Sequence, residues 1–367
     1  MYQRIRPWLF KLDPEFAHHA TVSAARLAQR FATRALESTF SYGHPALGQH
    51  LLGLLFSNPI GLAAGFDKNA QLIRFFEELG CGFVEVGSVT ARATSGNPRP
   101  RLFRLPEDRA LINRMGLNNH GAERISKRVQ SIVNRLRVPL GINLAKTHDS
   151  TVVAEAALQD YRVSFSQLAP LADYVTLNIS CPNTADGRSF EDGKALDALL
   201  TIIGAQRKAQ GLSIPILVKL PPLPTSVTVY DSHLEEIIAV SLQHRVAGFV
   251  ASNTSPDRKY LATSPARLAR IGQGGVSGRP LLERSTRLVR YVYRATEGRL
   301  PIIGVGGVDS VEGAVALMSA GASLVQVYTG LIYEGPRLIR TLKEDLVRLM
   351  EKRKLSTVRQ LIGVEVD

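Results

Sequence analysis

From residue 60 to residue 330 the chain repeats one pattern eight times: a short apolar, β-branched segment, then a stretch with helical period. The segments are Ile60–Gly65, Phe83–Thr90, Pro139–Lys146, Tyr174–Cys181, Pro215–Leu220, Gly248–Thr254, Pro301–Gly307 and Leu324–Gly330. Strands that alternate with helices build a parallel sheet, because each helix returns the chain to the end where the last strand began. Eight units are the count of a (β/α)8 barrel, and a doubly wound open sheet is the competing architecture. The placement of polar residues decides between them. Lys68 follows the first segment, Ser88 ends the second, and Asn143 and Lys146 close the third. Asn178 and Cys181 end the fourth; Lys219, then Asn253 and Thr254, then Gly306 and Gly307, then Tyr328 and Thr329 close the remaining four. A barrel brings those ends to one face, where active sites are built. The predicted fold is therefore a (β/α)8 barrel spanning residues 51–367.

Residues 1–50 have a different character. Asp13-Pro14 supplies an N-cap and a proline at the first helical position, and Phe16, Ala20, Ala24, Leu27, Phe31 and Ala35 then recur at steps of three or four. Ahead of this amphipathic helix stands Ile5-Arg-Pro-Trp-Leu-Phe10, with the single tryptophan of the chain. Arg4, Arg6, Lys11, Arg26, Arg30 and Arg34 face only Asp13, Glu15 and Glu37 in charge. A basic helical piece carrying Trp, Leu and Phe suits an interfacial membrane anchor; the alternative is a helical flap packed on its own domain.

The whole chain carries a net charge of +13, which suits anionic lipid or anionic metabolites. The basic residues are scattered without a basic-aromatic stripe, so nucleic acid is not expected as a partner. No apolar run reaches the roughly 20 residues that a spanning helix needs. With two cysteines, Cys81 and Cys181, there is neither a disulfide framework nor a zinc site, and Cys81 is expected to be a small core residue. The eight histidines lack metal-ligand spacing, and His18-His19 is expected on a helix surface. No metal is predicted.

The run Asn178-Ile-Ser-Cys-Pro-Asn183 places two carboxamides, a hydroxyl and a thiol at a strand end. Carboxamides offer a donor and an acceptor to a planar amide ring, and a thiol of ordinary pKa about 8.5 serves as a base once its surroundings tune it. Alone, the same run is also what a strand-to-loop turn needs. With Asn113, Asn118 and Asn253, these amides suggest a small planar ligand rich in N–H and C=O groups, a description that a pyrimidine fits. Gly304-Val-Gly-Gly307 and Tyr328-Thr-Gly330 end the last two strands, where backbone N–H groups commonly hold a phosphate. Because the spacing is not G-x-G-x-x-G after an early strand, a mononucleotide such as FMN is preferred to a dinucleotide. Lys219, closing an apolar strand, needs an anionic partner such as a reduced flavin.

Over essentially its whole length the chain resembles the dihydroorotate dehydrogenase family, and most closely its membrane-associated, quinone-reducing class 2. Asn58–Lys68, Gly96–Arg104, Ile112–Asn119, Asn178–Thr184, Gly274–Pro280 and Pro301–Asp309 carry the resemblance. It implies FMN in a (β/α)8 barrel, oxidation of (S)-dihydroorotate to orotate in pyrimidine biosynthesis, and electron transfer to a membrane quinone. It also implies that residues 1–50 dock on an anionic lipid surface, at the cytoplasmic side of the inner membrane, and that the protein is a monomer. By motif, the FMN contacts are Ala64, Gly65, Phe66, Asp67, Lys68, Ser88, Asn143, Asn178, Lys219, Ser252, Gly278, Gly307, Tyr328 and Thr329. The orotate contacts are Lys68, Asn113, Arg114, Met115, Gly116, Leu117, Asn178, Asn183, Asn253 and Thr254, with Cys181 as the catalytic base. Class 2 usually has serine at position 181, cysteine being the habit of the soluble class 1 enzymes. Asp186–Glu191 and Lys219-Leu-Pro-Pro-Leu223 also depart from the class 2 pattern. The alternatives are a family member using fumarate or another cyclic amide, and a non-catalytic flavin- or lipid-binding protein.

Overall fold

The computed structural model describes residues 2–180, 189–223 and 231–366. Three helices come first, α1 (Tyr2–Leu9), α2 (Pro14–Phe31) and α3 (Thr33–Phe40), then a hairpin of β1 (Gln49–Leu51) and β2 (Leu54–Phe56). Eight strands then close a barrel in sequence order: β3 (Ile60–Leu62), β4 (Phe83–Val89), β7 (Leu140–Leu144), β8 (Tyr174–Asn178), β9 (Ile216–Lys219), β10 (Gly248–Ala251), β12 (Ile302–Val305) and β13 (Leu324–Val327). Every neighbouring pair is parallel, and β13 returns to β3 through Val325 opposite Ile60. The predicted barrel is the observed one. A second, antiparallel sheet of β5 (Leu102–Leu105), β6 (Ala110–Asn113) and β11 (Gly275–Gly278) was not anticipated.

Alternation along the strands sorts the interior by chemistry. Phe83, Tyr174, Leu217, Val250, Ile303 and Leu324, from six different strands, form one apolar cluster with Phe56. Only the barrel lumen unites them. Two residues further along, five of the six inward side chains are polar, Glu85, Thr176, Lys219, Ser252 and Gln326, while Val305 stays with the apolar cluster. The intervening residues, among them Val84, Val86, Val175, Leu177 and Val218, join the larger core shared with the helices. Glycine makes room for the aromatic rings: a Cβ on Gly61 would lie 2.4 Å from the Phe83 ring, and one on Gly141 would lie 2.1 Å from that of Tyr174.

The N-cap expected at Asp13 is present, its Oδ1 accepting the N–H groups of Glu15 and Phe16. The helical period predicted through Ala35 is broken at Ala32, where α2 gives way to α3. Its apolar face points outward: Phe16, Leu27 and Phe31 are 61%, 62% and 72% exposed, while Ala17 and Ala25 turn inward. Buried Glu15 ties α2 to the barrel's appended sheet through Arg101 at 2.7 Å and Arg99 at 3.1 Å. Among the described residues no helix is long and apolar enough to cross a membrane.

Phe56 meets the Phe83 ring edge-on at 5.6 Å and is fully buried where the hairpin plugs the lumen. Phe56→Ala should lower unfolding free energy by about 3–5 kcal/mol in urea titration, as for other aromatic truncations in a core. The adjacent, exposed Leu55→Ala should change it by no more than about 0.5 kcal/mol.

Candidate active site

A cavity of about 360 Å³ opens above the polar layer and runs on beneath α1 and α2. Its inner part is lined by the strand ends. Ala64, Gly65, Phe66 and Lys68 approach from the loop after β3, Ser88 from β4, Asn178 from β8 and Lys219 from β9. Ser252, Asn253 and Thr254 follow β10, and Tyr328 and Thr329 follow β13. Asn113, Met115, Gly116 and Leu117 close the cavity from β6 and the loop beyond it, and Gly278 and Gly307 complete the wall. Eighteen side chains or backbones singled out from the sequence therefore share one cavity.

Three others sit elsewhere. Asn143 lies behind Ser88 and receives the serine hydroxyl on its Oδ1. Asp67 is buried and accepts the N–H groups of Gln71 and Leu72 at 2.9 and 2.6 Å, so it shapes the loop after β3. Burial raises its pKa, although the backbone donors oppose that. Arg114 turns away to the carbonyls of Ile271 and Gln273 and stacks on Phe103. Cys181 and Asn183 lie outside the described residues, as do residues 186–188 of the altered loop.

The amides form a continuous array. Asn253 Nδ2 donates to Asn178 Oδ1 at 3.0 Å, and Asn178 Nδ2 donates to Ser88 Oγ at 3.0 Å. Tyr328 donates its hydroxyl to the Gly65 carbonyl at 3.1 Å, and burial pushes its pKa up to about 12, so it remains a neutral donor. Lys68 donates to the same carbonyl at 2.6 Å. Desolvation, with Arg101 adding repulsion, holds its ammonium down at about 8. On the neighbouring strand end, after β12, Gly307 has φ +85°, and a Cβ there would lie 2.6 Å from the Leu282 backbone nitrogen. That close approach leaves the backbone itself as the surface, as a bound phosphate requires. Arg109, paired with Asp309 at 2.8 Å and with Glu334, braces the same wall from behind.

The outer part of the cavity is apolar. Leu9, Phe10, Pro14, Ala17, Thr21 and Ala25 line it from the N-terminal helices, opposite Leu72, Phe75, Phe76 and Leu331. His18, expected on a helix surface, turns into it and meets the Phe66 ring at 5.4 Å, whereas His19 is exposed. Burial, then the neighbouring Lys68, hold the His18 imidazole down at about 3, so it is neutral at physiological pH. The sequence held one signal for this wall: Glu15, one of three acids in a predominantly basic segment, now found on Arg101.

The family model for dihydroorotate dehydrogenase matches residues 46–350. The chain belongs to the dihydroorotate dehydrogenase family. It is 42% identical over 371 residues to a protein of Roseiflexus castenholzii named dihydroorotate dehydrogenase (quinone), with 100% of this chain and 97% of that protein covered. Proteins of the same name from Gloeobacter violaceus and Nocardia farcinica are 42% and 40% identical, over 99% and 100% of this chain and 98% and 97% of theirs. Within the dihydroorotate dehydrogenase family the chain thus falls in class 2, the quinone-dependent branch. The crystal structure of the dihydroorotate dehydrogenase of Eimeria tenella in complex with ferulenol superposes with a TM-score of 0.84 at 31% identity, covering 96% of each chain.

Glu15 links the wall of the outer cavity to the barrel, and its pKa gives a test. Burial alone would push the carboxyl up; the hydrogen bonds and charges of Arg101 and Arg99 outweigh it and bring the value from 4.5 to about 2. A depressed carboxylate contributes stability above its unfolded pKa and loses it as pH falls through the folded value. The difference in melting temperature between the wild type and Glu15→Gln should be full above pH 4.5 and close toward pH 2. A difference that is constant with pH would show that the ion pair does not anchor α2.

Proposed function

We propose that this chain is a flavin-dependent enzyme that oxidises dihydroorotate to orotate and passes the electrons to a quinone, a step of pyrimidine biosynthesis. One observation carries the reading: a single cavity joins an amide-lined pocket at the barrel's strand ends to an apolar passage under the N-terminal helices. The pocket suits a small cyclic imide and the passage suits the tail-bearing acceptor.

The flavin is FMN in this proposal. The residues present fit it: a glycine-backed wall at Gly278 and Gly307 for a phosphate, and a polar floor for a ring with N–H and C=O edges. Gln326 Oε1, buried at that floor, has no hydrogen-bond partner among the described residues and is an acceptor in want of a donor. Ala64, Gly65, Ser88, Asn178, Lys219, Ser252, Gly278, Gly307, Tyr328 and Thr329 would hold the cofactor, with Asn143 supporting Ser88 from behind. When bound, it supplies the hydride acceptor that no side chain can replace.

The remaining chemistry belongs to the chain. Lys68, still charged below pH 8, would hold the substrate carboxylate, and Asn113, Asn178, Asn183 and Asn253 would pair with the ring amides. The Cys181 thiolate would take the C5 proton. A thiol titrates well below an alcohol, so the base at 181 needs less help than the serine usual in class 2. Lys219, buried beside Asn178 in register, would neutralise charge that builds on the flavin ring.

The proposal divides the chain at residue 50, giving the barrel the redox chemistry and the first fifty residues the docking. Ile5, Trp8, Leu12, Phe16, Leu27 and Phe31 are exposed beside Arg4, Lys11, Arg26, Arg30 and Arg34. An apolar surface ringed by cations suits the interface of an anionic bilayer. It would hold a monomer peripherally on the cytoplasmic side of the inner membrane, with the passage opening toward lipid-dissolved quinone.

Two experiments test this. The purified protein should show a flavin band that bleaches when dihydroorotate is added without oxygen, and Cys181→Ser should move the pH profile of that reduction upward. An unbleached band would redirect the search to other reduced cyclic amides, and an unchanged profile would remove Cys181 as the base. In flotation with anionic liposomes the wild type should rise with the vesicles, while Phe16→Glu/Phe31→Glu should stay below with its flavin retained. Equal flotation of both would place the docking surface elsewhere.

A further inference from the structure

Beneath the cavity lies a carboxylate that neither the flavin nor the substrate reading uses. Glu85 is completely buried in the lumen and accepts three hydrogen bonds, from Asn143 Nδ2 at 2.8 Å, Gln326 Nε2 at 2.9 Å and the Tyr174 hydroxyl at 3.1 Å. A carboxylate only accepts, whereas a carboxamide has a donor at one end and an acceptor at the other. Both amides must turn their nitrogens to Glu85 and their oxygens away from it. For Gln326, which lines the cavity floor, this leaves Oε1 buried and without a hydrogen-bond partner among the described residues. For Asn143 it leaves Oδ1 to accept the Ser88 hydroxyl. Ser88 has then spent its proton and must accept from Asn178 Nδ2. Asn178 Oδ1 is left to accept from Asn253 Nδ2, and Asn253 Oδ1 takes the backbone N–H of Thr254 at 2.9 Å. Asn253 is also held from its own end, its Nδ2 donating to the Ser180 carbonyl at 2.9 Å, so the array is oriented from Glu85 on one side and from the backbone on the other.

We propose that Glu85 is a positioning residue that sets the donor and acceptor polarity of Gln326, Asn143 and Ser88, the end of the amide array against which the flavin is held. The inference rests on the functional reading above and deepens it. The two ends of a carboxamide have the same shape, so without an acceptor-only group at position 85 Gln326 and Asn143 can each turn either way, whereas Asn253, held between the Ser180 carbonyl and the Thr254 N–H, keeps Asn178 in one sense. A ligand would then meet nitrogen where oxygen had been, and only the fraction of molecules in the original sense would bind it.

The test uses three full-length holoproteins: wild type, Glu85→Gln, and the swap Glu85→Gln/Asn143→Asp. In the swap, the amide introduced at 85 donates to the carboxylate introduced at 143, which still accepts the Ser88 hydroxyl. The amide oxygen at 85 still accepts from Tyr174 and Gln326. Every hydrogen bond survives with its downstream direction intact. FMN affinity is read from fluorescence quenching on adding FMN to stripped protein, and orotate affinity from the perturbation of the flavin band. Glu85→Gln should weaken FMN binding by about tenfold or more, and orotate binding less, with unchanged circular dichroism. The swap should recover most of the FMN affinity, although Asn143→Asp alone also loses it. A purely volumetric role predicts no such rescue. If Glu85→Gln fails to fold, Asn143→Asp against the swap still decides. Wild-type affinities in Glu85→Gln, or losses in the swap equal to the sum of the single losses, would overturn the proposal alone. A wild type that binds no flavin would overturn the functional reading and this proposal with it.

Discussion

Closure of the sheet is the constraint on which the rest depends. A ring of parallel strands satisfies every strand's backbone groups on both sides, and the ring forces all the strands to end at the same rim. The β13 to β3 pairing that completes it, with Val327 opposite Leu62, brings Tyr328 to the loop that holds Gly65 and Lys68. Residues separated by about the length of the barrel in sequence become neighbours in the site by this pairing alone. The lumen is then filled from the bottom by large rings set against glycines, which leaves the polar layer above them as the floor of a cavity.

Charge inside that floor is managed by hydrogen bonding. A buried carboxylate without partners would be prohibitively unfavourable. Glu85 has three donors, none of them charged, and Tyr174 responds with a pKa raised well above 10.0, first through burial and then through Glu85 itself. The hydroxyl is thus kept as a donor at all relevant pH. At the outer end of the cavity the logic is reversed: Glu15 is held by two arginines, and Lys68 and His18, close to each other, are both depressed.

The barrel was legible because its signal is redundant, with eight apolar segments each closing on a polar or glycine residue. The cavity's inner wall was legible for the same reason, since the strand ends carry it. The β5–β6–β11 sheet was not, because Pro98, Pro100 and Pro106 give its first strands the look of a loop and its third strand, Gly275–Gly278, is half glycine. The outward orientation of Phe16, Leu27 and Phe31 was consistent with a helical period, but periodicity says which residues share a face and not what that face meets. Small Ala17 and Ala25 form the inward face because His18 and Thr21 must line a passage there. Glu85 and Gln326 were visible as single polar residues within apolar strands, Phe-Val-Glu-Val and Leu-Val-Gln-Val, and such interruptions carry information about the lumen that strand-end residues do not.

The anchoring of α1 bears on how the molecule is assembled. Tyr2 donates its hydroxyl to the Ile332 carbonyl across 330 residues of sequence, Arg6 reaches the Tyr333 carbonyl, and the Tyr2 ring fills the space that a side chain at Gly335 would need. Synthesis runs from the N-terminus, so these helices exist long before their partners do. The same holds for β3, whose second neighbour is β13. Barrel closure and helix docking both wait on the last stretch of chain, and until then the apolar residues of α1 and α2 have nothing of their own fold to cover them. During that interval their apolar surface needs other cover, which makes the order of translation itself part of how the passage beneath these helices is formed.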